Sequence, residues 1–375
     1  MMDGVFVKKM NVGKSPLVLL LLILLSCGSN DKKSIADSES LEISIDLSRY
    51  NQTFPVDSID YRVDSLFLDP TGSVVVGNVD NILILDTCIV VNDRNQAKQI
   101  FVFKMDGTFS HYIGKNGRGP GEYLQATDIA YHNGYLVVLD MLSRKLIRYS
   151  LGGVFIEETE YKDKLHEIES DGEILFAYAG DNRHNADIKN YEFLVLGQSG
   201  EVNEAYHYNR YSINYKSGDN IRLIGENVYF TRTLLPYVCQ YEQTRGLSKK
   251  YLLNLGPNPL REDFEMECKG DYSRFEEVYR QSASYYTGNF WETSRYAGFS
   301  VEYNRLPYLV VYDKVSGDVF AGIVGIAGKD KLEYSDLVPI LLSGPVVVDS
   351  NSIYAVVESG ILQDETNPVI IKILM

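Results

Sequence analysis

The sequence predicts an all-β fold: a six-bladed β-propeller of four-stranded antiparallel blades, its ring closed by an N-terminal strand, with one helical insertion. Three observations predict it. From Asp80 four short apolar runs (NILILD, CIVVND, IFVFKMDG, TFSHYIG) are joined by turn residues, and the order repeats from Asp128 with YLVVLD and KLIRYS in the matching places. A turn glycine recurs at Gly107, Gly153, Gly200 and Gly246, in steps of 46, 47 and 46 residues. The last unit supplies only three runs, PVVVD, IYAVVE and VIIKIL, so it needs a fourth strand from elsewhere. One small twisted sheet cannot bury both of its faces, so units of four strands at this spacing must stack around an axis.

The elements follow in chain order. Lys8, Lys9 and Lys14 flank an aliphatic stretch over residues 17–25 that ends in LLSC. That is a secretory signal, residues 1–26, too short for a comfortable membrane span. The small residue ahead of Cys27 resembles a bacterial lipobox, which implies cleavage before Cys27 and a lipid on its thiol, leaving the mature chain anchored to the membrane by that lipid alone. Residues 27–40 (CGSNDKKSIADSES) are polar and aperiodic and read as a flexible tether. The propeller occupies residues 41–375, and seven blades are the alternative to six, since residues 41–70 are long enough to supply more than one strand. Its missing strand can come from LEISIDL (41–47) or from residues 63–68, and pairing either with the final unit removes an exposed edge. After Gly246 the next matching turn glycine, Gly317, comes 71 residues later. The surplus falls in residues 257–287, between the fourth and fifth blades. There Ser273 and Glu276 form an S-x-x-E capping box, and Phe275, Val278 and Tyr279 share one helical face.

Composition narrows the partners. The formal net charge is −15, and residues 1–26 carry three lysines and one aspartate, which leaves about −17 on the remainder. Nucleic acid and anionic membrane surfaces are therefore excluded as partners on electrostatic grounds. Beyond Cys27 stand Cys88, Cys239 and Cys268, with no C-x-x-C spacing, so no zinc site and at most one internal disulfide is expected.

Residues 113–123, IGKNGRGPGEY, carry four glycines and a proline where the chain must travel from the rim of one blade back to the axis at the next. The string resembles the G-x-x-G-x-G-x-G-Q-F connector of NHL-repeat propellers. It is closer still to the GRGPGEY segment of the six-bladed β-propeller lipoproteins of Bacteroides and related bacteria. That resemblance implies the propeller fold and a cell-envelope location on the outer membrane, facing the periplasm or the surface, with no activity attached.

Three constellations are candidates for chemistry. Arg118 and Glu122 could present a guanidinium fork to a carboxylate or phosphate, or else pair with each other and cap backbone. Asp93, Asp140 and Asp313, at the ends of second strands, could line a metal-holding channel, but aspartate is an ordinary turn residue and no oxygen-rich Ca²⁺ cluster is visible, so neither metal nor other cofactor is expected. Tyr206 and Tyr208 (with Tyr211 and Tyr215), and Tyr285, Tyr286 and Trp291 (with Tyr296), could offer aromatic faces in rim loops to sugar or peptide, or alternate along strands into the core. Catalytic signatures fail: there is no G-x-S-x-G, H-E-x-x-H, P-loop or dinucleotide fingerprint, and His111, His132, His166, His184 and His207 sit singly. The sequence thus points to a binding module for a glycan, a peptide or an envelope protein, rather than to an enzyme. The alternative is a hydrolase or lyase at the channel mouth. A buried carboxylate pair there would favour that alternative, and an open tyrosine rim would favour binding.

Overall fold

The computed structural model describes residues 31–36, 40–180, 190–208, 219–325, 334–344, 346–349, 351–358 and 367–375. It is an all-β propeller of four-stranded antiparallel blades with few helices. Blade A runs Asn81–Ile84, Cys88–Asp93, Gln99–Lys104, Phe109–Ile113, and blade B runs Ala126–His132, Tyr135–Asp140, Lys145–Tyr149, Phe155–Glu160. Blade C is Glu167–Ser170, Leu175–Tyr178, Tyr191–Leu196, Val202–Tyr208, and blade E is Ser284–Glu292, Tyr296–Tyr303, Leu306–Asp313, Val319–Ile323. The remaining strands belong to one continuous nine-stranded sheet. Its half D holds Ile221–Ile224, Asn227–Thr231, Tyr237–Glu242 and Gly246–Asn254; its half F holds Val347–Asp349, Ser352–Val357, Val369–Leu374 and Arg62–Phe67.

Hydrogen bonding therefore draws four single blades and one fused sheet, where the sequence predicted six separate ones. The cause is local. The innermost strands of D and F meet in a parallel bridge, Ile224 to Val348. Blade E, which lies between them in sequence, packs its inner strand against Asn227–Thr231 instead of reaching the axis. The inner strands of F, A, B, C and D follow one another around a closed ring.

The repeat spacing has a conformational basis. Gly107, Gly153, Gly200, Gly246 and Gly317 all stand at the turn between third and fourth strands with φ between 76° and 83°, a region costly for any side chain. Aspartates that end strands hold the neighbouring turns: Asp93 and Asp140 end second strands as expected, whereas Asp313 ends the third strand of blade E. Asp93 accepts from the backbone N–H groups of Gly77, Asn78 and Gln96 at 2.8 to 3.0 Å, and Asp140 from those of Leu124, Leu142 and Ser143 at 2.7 to 3.1 Å. Asp313 accepts from Val315 N–H at 2.8 Å and from the Arg295 guanidinium at 3.0 Å. Each ties a hairpin to the incoming chain, a turn role rather than a metal-binding one.

The N-terminal segment forms a belt around the rim. Asp31–Lys32 adds in parallel to the outer strand of blade C, Ala36 bridges to Ser248, and Leu41–Ser44 adds in parallel to the outer strand of half D. Thr53 bridges to Ile323 of blade E, and Arg62–Phe67 then becomes the outer strand of half F, antiparallel to Val369–Leu374. Of the two expected closing segments, the second closes the sheet while LEISIDL covers another edge. Residues 31–36, expected as free tether, are paired.

The insertion is a helical pair, α1 (Phe264–Cys268) and α2 (Tyr272–Gln281), and the first strand of blade E already begins at Ser284. The N-cap of α2 is Asp271, whose carboxylate accepts from Ser273 and Arg274 N–H at 2.8 and 3.2 Å; the cap thus lies two residues before the anticipated Ser273, and with Arg274 at the third helical position it forms no S-x-x-E box. Phe275 is buried on the expected face with Val278 and Tyr279 beside it. A third helix, α3 (Tyr334–Ser343), between blade E and half F, was not expected: its LVPILL core carries Pro339, which reads as a breaker in sequence.

Candidate functional site

A cavity of about 850 Å³ occupies the axis. Its wall comes from the inner strands of A, B, C, D and F and from Ile340 and Leu341 of α3, and blade E contributes nothing to it. Nine of its lining residues are acidic and one, Arg222, is basic. Aliphatic side chains such as Ile82, Ile129 and Val348 fill the remaining wall.

Inward-pointing carboxylates also join neighbouring blades. Asp128 of blade B accepts from Ile168 N–H of blade C at 2.8 Å and from its neighbour Ile129 at 2.9 Å. Glu167 of blade C accepts from Asn220 and Ile221 N–H at 2.6 and 3.2 Å, and Glu169 from Leu223 N–H of half D at 3.2 Å and from Ser170 N–H at 2.9 Å. These bonds satisfy inner-strand edge donors that no blade can pair alone. Burial raises all three carboxyls: Asp128 and Glu167 well above their usual range, with Asp219 adding like-charge repulsion, and Glu169 to about 7. Arg222 is 5% exposed and donates to Phe290 O, Val346 O and Asn289 Oδ1 at 3.1 to 3.4 Å, tying half D to blade E and half F.

The residues singled out from sequence lie elsewhere. Arg118 is exposed at the rim. Glu122 does not pair with it; its carboxylate binds Lys115 Nζ and Gly119 N–H, each at 2.8 Å, and the Lys115 ammonium holds its pKa down. Tyr206, Tyr285, Tyr286 and Trp291 are at most 6% exposed and belong to the core, so they present no open face. Trp291 packs over Gly298, where a Cβ would fall 2.0 Å from the ring, and its indole N–H donates to Leu342 O of α3 at 2.8 Å. The side chain of Tyr208, together with Tyr211, Tyr215, His184 and Cys27, lies outside the described residues. Cys88, Cys239 and Cys268 are free and buried. Among the described residues no cluster of His, Cys, Asp and Glu could hold a metal, and no helix is long and apolar enough to cross a membrane.

Two buried polar centres escaped sequence reasoning. Glu292, 8% exposed, accepts from Tyr229 and Tyr251 hydroxyls and from Lys250 and Lys314 ammoniums at 2.8 to 3.0 Å, locking half D to blade E. His207 meets Glu192 at 2.7 Å, Glu192 meets Arg232 at 3.3 Å, and Arg232 grips Glu265 of α1 bidentately at 2.6 and 2.8 Å. The only sequence signal for either was a charged residue inside an apolar run.

A family model described as a domain of unknown function, DUF4934, matches residues 43–373. The chain belongs to the DUF4934 family. That is not the NHL-repeat family its connector resembles. Among solved structures, a Bacteroides fragilis protein assigned as exported superposes with a TM-score of 0.68 at 17% identity, covering 92% of this chain and 99% of that one. A DUF4221 member from Bacteroides vulgatus gives 0.49 at 10% identity, covering 83% and 96%. Virginiamycin B lyase from Staphylococcus aureus gives 0.42 at 11% identity, covering 84% and 100%. At such identities the first likeness carries the fold alone, and the other two carry no argument. No curated protein matches this DUF4934 chain.

Proposed function

We propose that this DUF4934 protein is a binding module of the cell envelope, exported, lipid-anchored through Cys27 to the outer membrane, and that its ligand enters the axial cavity. In this reading halves D and F are two blades and the ring has six, with blade E standing back from the axis. The single observation that carries the function is the cavity itself. Its volume suits a ligand of a few sugar or amino-acid residues, its walls are partly apolar, and its charge is almost wholly negative. Of the classes glycan, peptide and envelope protein, that charge favours a peptide or another amine-bearing ligand, with Tyr131 and Tyr354 as the aromatic residues of the wall.

The test is a thermal-shift and calorimetric comparison of trilysine, a neutral trisaccharide and a trianionic peptide. Trilysine should bind, more weakly as salt rises, and Asp219→Asn should weaken it at least several-fold. Equal binding of all three, or of none, would remove the cavity as the site. Two observations support the enzymatic alternative: the raised carboxyls of Asp128, Glu167 and Glu169 in the cavity wall are the buried carboxylates that would favour it, and Glu169, raised to about 7, has the pKa of a general acid or base. Both its oxygens accept backbone N–H groups, which fits a stitch between blades better than a proton carrier. Turnover of any ester, glycoside or lactone that Glu169→Gln abolishes without unfolding the protein would reverse that preference.

A further inference from the structure

The belt shows how this chain attaches extended segments to itself. Asp31–Lys32 lies parallel to the outer strand of blade C, in register with Glu204 and Ala205, and Lys33 places its ammonium 2.8 Å from the Glu204 carboxylate. The same belt then covers the outer edges of half D and blade E. Blade B receives no such strand. Its outermost strand, Phe155–Glu160 (FIEETE), ends the sheet, and among the described residues nothing pairs with its outer edge. A bare strand edge is a row of unpaired N–H and C=O groups, which proteins ordinarily cover or disrupt. Here it is uncovered, though blunted by a bulge at Ile156, where Tyr149 pairs with Phe155 and Arg148 with Glu157, and by three glutamates. Val154, Phe155 and Ile156, consecutive at its start, are 63%, 38% and 44% exposed.

We propose that the outer edge of blade B is a docking site for an extended, lysine- or arginine-bearing segment of a partner protein, added as a further strand. The charge identifies the occupant. A strand laid outside Phe155–Glu160 has Glu157, Glu158 and Glu160 as cross-strand neighbours at about 5 Å, whereas their cations Lys145 and Arg148 stand on the next strand in, about 5 Å further away. A second copy of this chain is disfavoured by the same residues, since edge-to-edge pairing would set glutamates against glutamates. Apolar residues of the partner strand would cover Val154 to Ile156 on one side, and basic ones would repeat the Lys33–Glu204 contact.

The experiment uses the full chain and fluorescein-labelled octapeptides: alternating Lys-Val, alternating Glu-Val, and the Lys-Val peptide N-methylated at alternate backbone nitrogens. Fluorescence anisotropy should show binding of the Lys-Val peptide, at least tenfold weaker binding of the N-methylated form, and none of the Glu-Val form. Glu160→Lys, which leaves the Lys145–Glu158 and Arg148–Glu157 pairs in place, should weaken the Lys-Val peptide about tenfold with an unchanged melting curve. Hydrogen exchange should slow at residues 155–160 when it is bound. Asp219→Asn in the cavity should leave the effects of N-methylation and of Glu160→Lys unchanged, which separates this edge from the axial site. Equal affinity for the methylated or acidic peptides, insensitivity to Glu160→Lys, no protection at 155–160, or no binding at all would each overturn the proposal.

Discussion

Ionising Glu169 should destabilise the fold. Its carboxyl has a folded-state pKa of about 7 against an ordinary value of 4.5, the cause being burial beside the axis. A raised folded pKa means that the protonated form is preferred in the native state. The stabilisation is complete below about pH 4.5 and is lost as pH rises through 7. A shift of this size corresponds to about 3 kcal/mol between pH 5 and pH 8.5. With an unfolding entropy of about 2 cal/mol/K per residue, that is a change in Tm of about 4 °C for a chain this long. Asp128 and Glu167 are raised by the same cause and act in the same sense. His132, lowered by burial, acts oppositely, gaining stability as pH rises. Depressed carboxyls such as Glu292 and Asp313 titrate below this window and do not contribute to it. The decisive quantity is therefore the difference between wild type and Glu169→Gln, measured by urea unfolding at pH 5 and 8.5. Wild type should lose about 3 kcal/mol more than the variant over that range. Parallel pH profiles would show that the cavity solvates the carboxylate and that its two N–H bonds outweigh burial.

Other expectations follow from local geometry. Glu292→Ala should cost about 4 kcal/mol in chemical unfolding, because the buried Tyr229 and Tyr251 hydroxyls lose their acceptor and two lysines lose their counter-charge; a loss under about 1 would mean water replaces it. In the connector, Gly121→Val should lower stability by about 3 kcal/mol, since φ is +67° and a Cβ would sit 2.6 Å from the Phe155 ring, while Arg118→Ala should stay within about 0.5. Gly119 has no such φ, so Gly119→Val should cost less than Gly121→Val in the same melts. Lys33→Glu should speed hydrogen exchange across residues 31–36 while shifting global stability by less than about 1 kcal/mol. Cys27→Ala should move the protein from membrane to soluble fraction with an unchanged circular dichroism spectrum.

What could be read from sequence was whatever local chemistry repeats. The turn glycines are legible because each needs a positive φ, and the apolar runs because each strand hides one or both faces. The insertion announced itself as a break in spacing. The fusion of D with F, and the withdrawal of blade E, depend on a contact between Ile224 and Val348, 124 residues apart, which no local pattern encodes. Helix α3 was hidden by Pro339. For the site, the burial of Tyr206, Tyr285, Tyr286 and Trp291 was not legible because tyrosine clusters on strands look alike whether they face solvent or core. Asp128, Glu167 and Glu169 gave no signal, since one carboxylate on an inner strand becomes part of a cavity only when five such strands converge.

The belt also sets an order of events. Residues 62–67 are made about 300 residues before their antiparallel partner, Val369–Leu374. Blades A and B can form from contacts within their own forty residues while synthesis continues, but the seam cannot shut before the last few residues are available. Until then Arg62–Phe67 remains unsatisfied, although Leu41–Ser44 can already pair with Gly246–Asn254, so a chain truncated before residue 369 should keep its early blades and stay open, exposing sticky edges to chaperones and proteases. Completion of the final strand is thus a checkpoint on the whole molecule, one that distinguishes a finished copy from an aborted one.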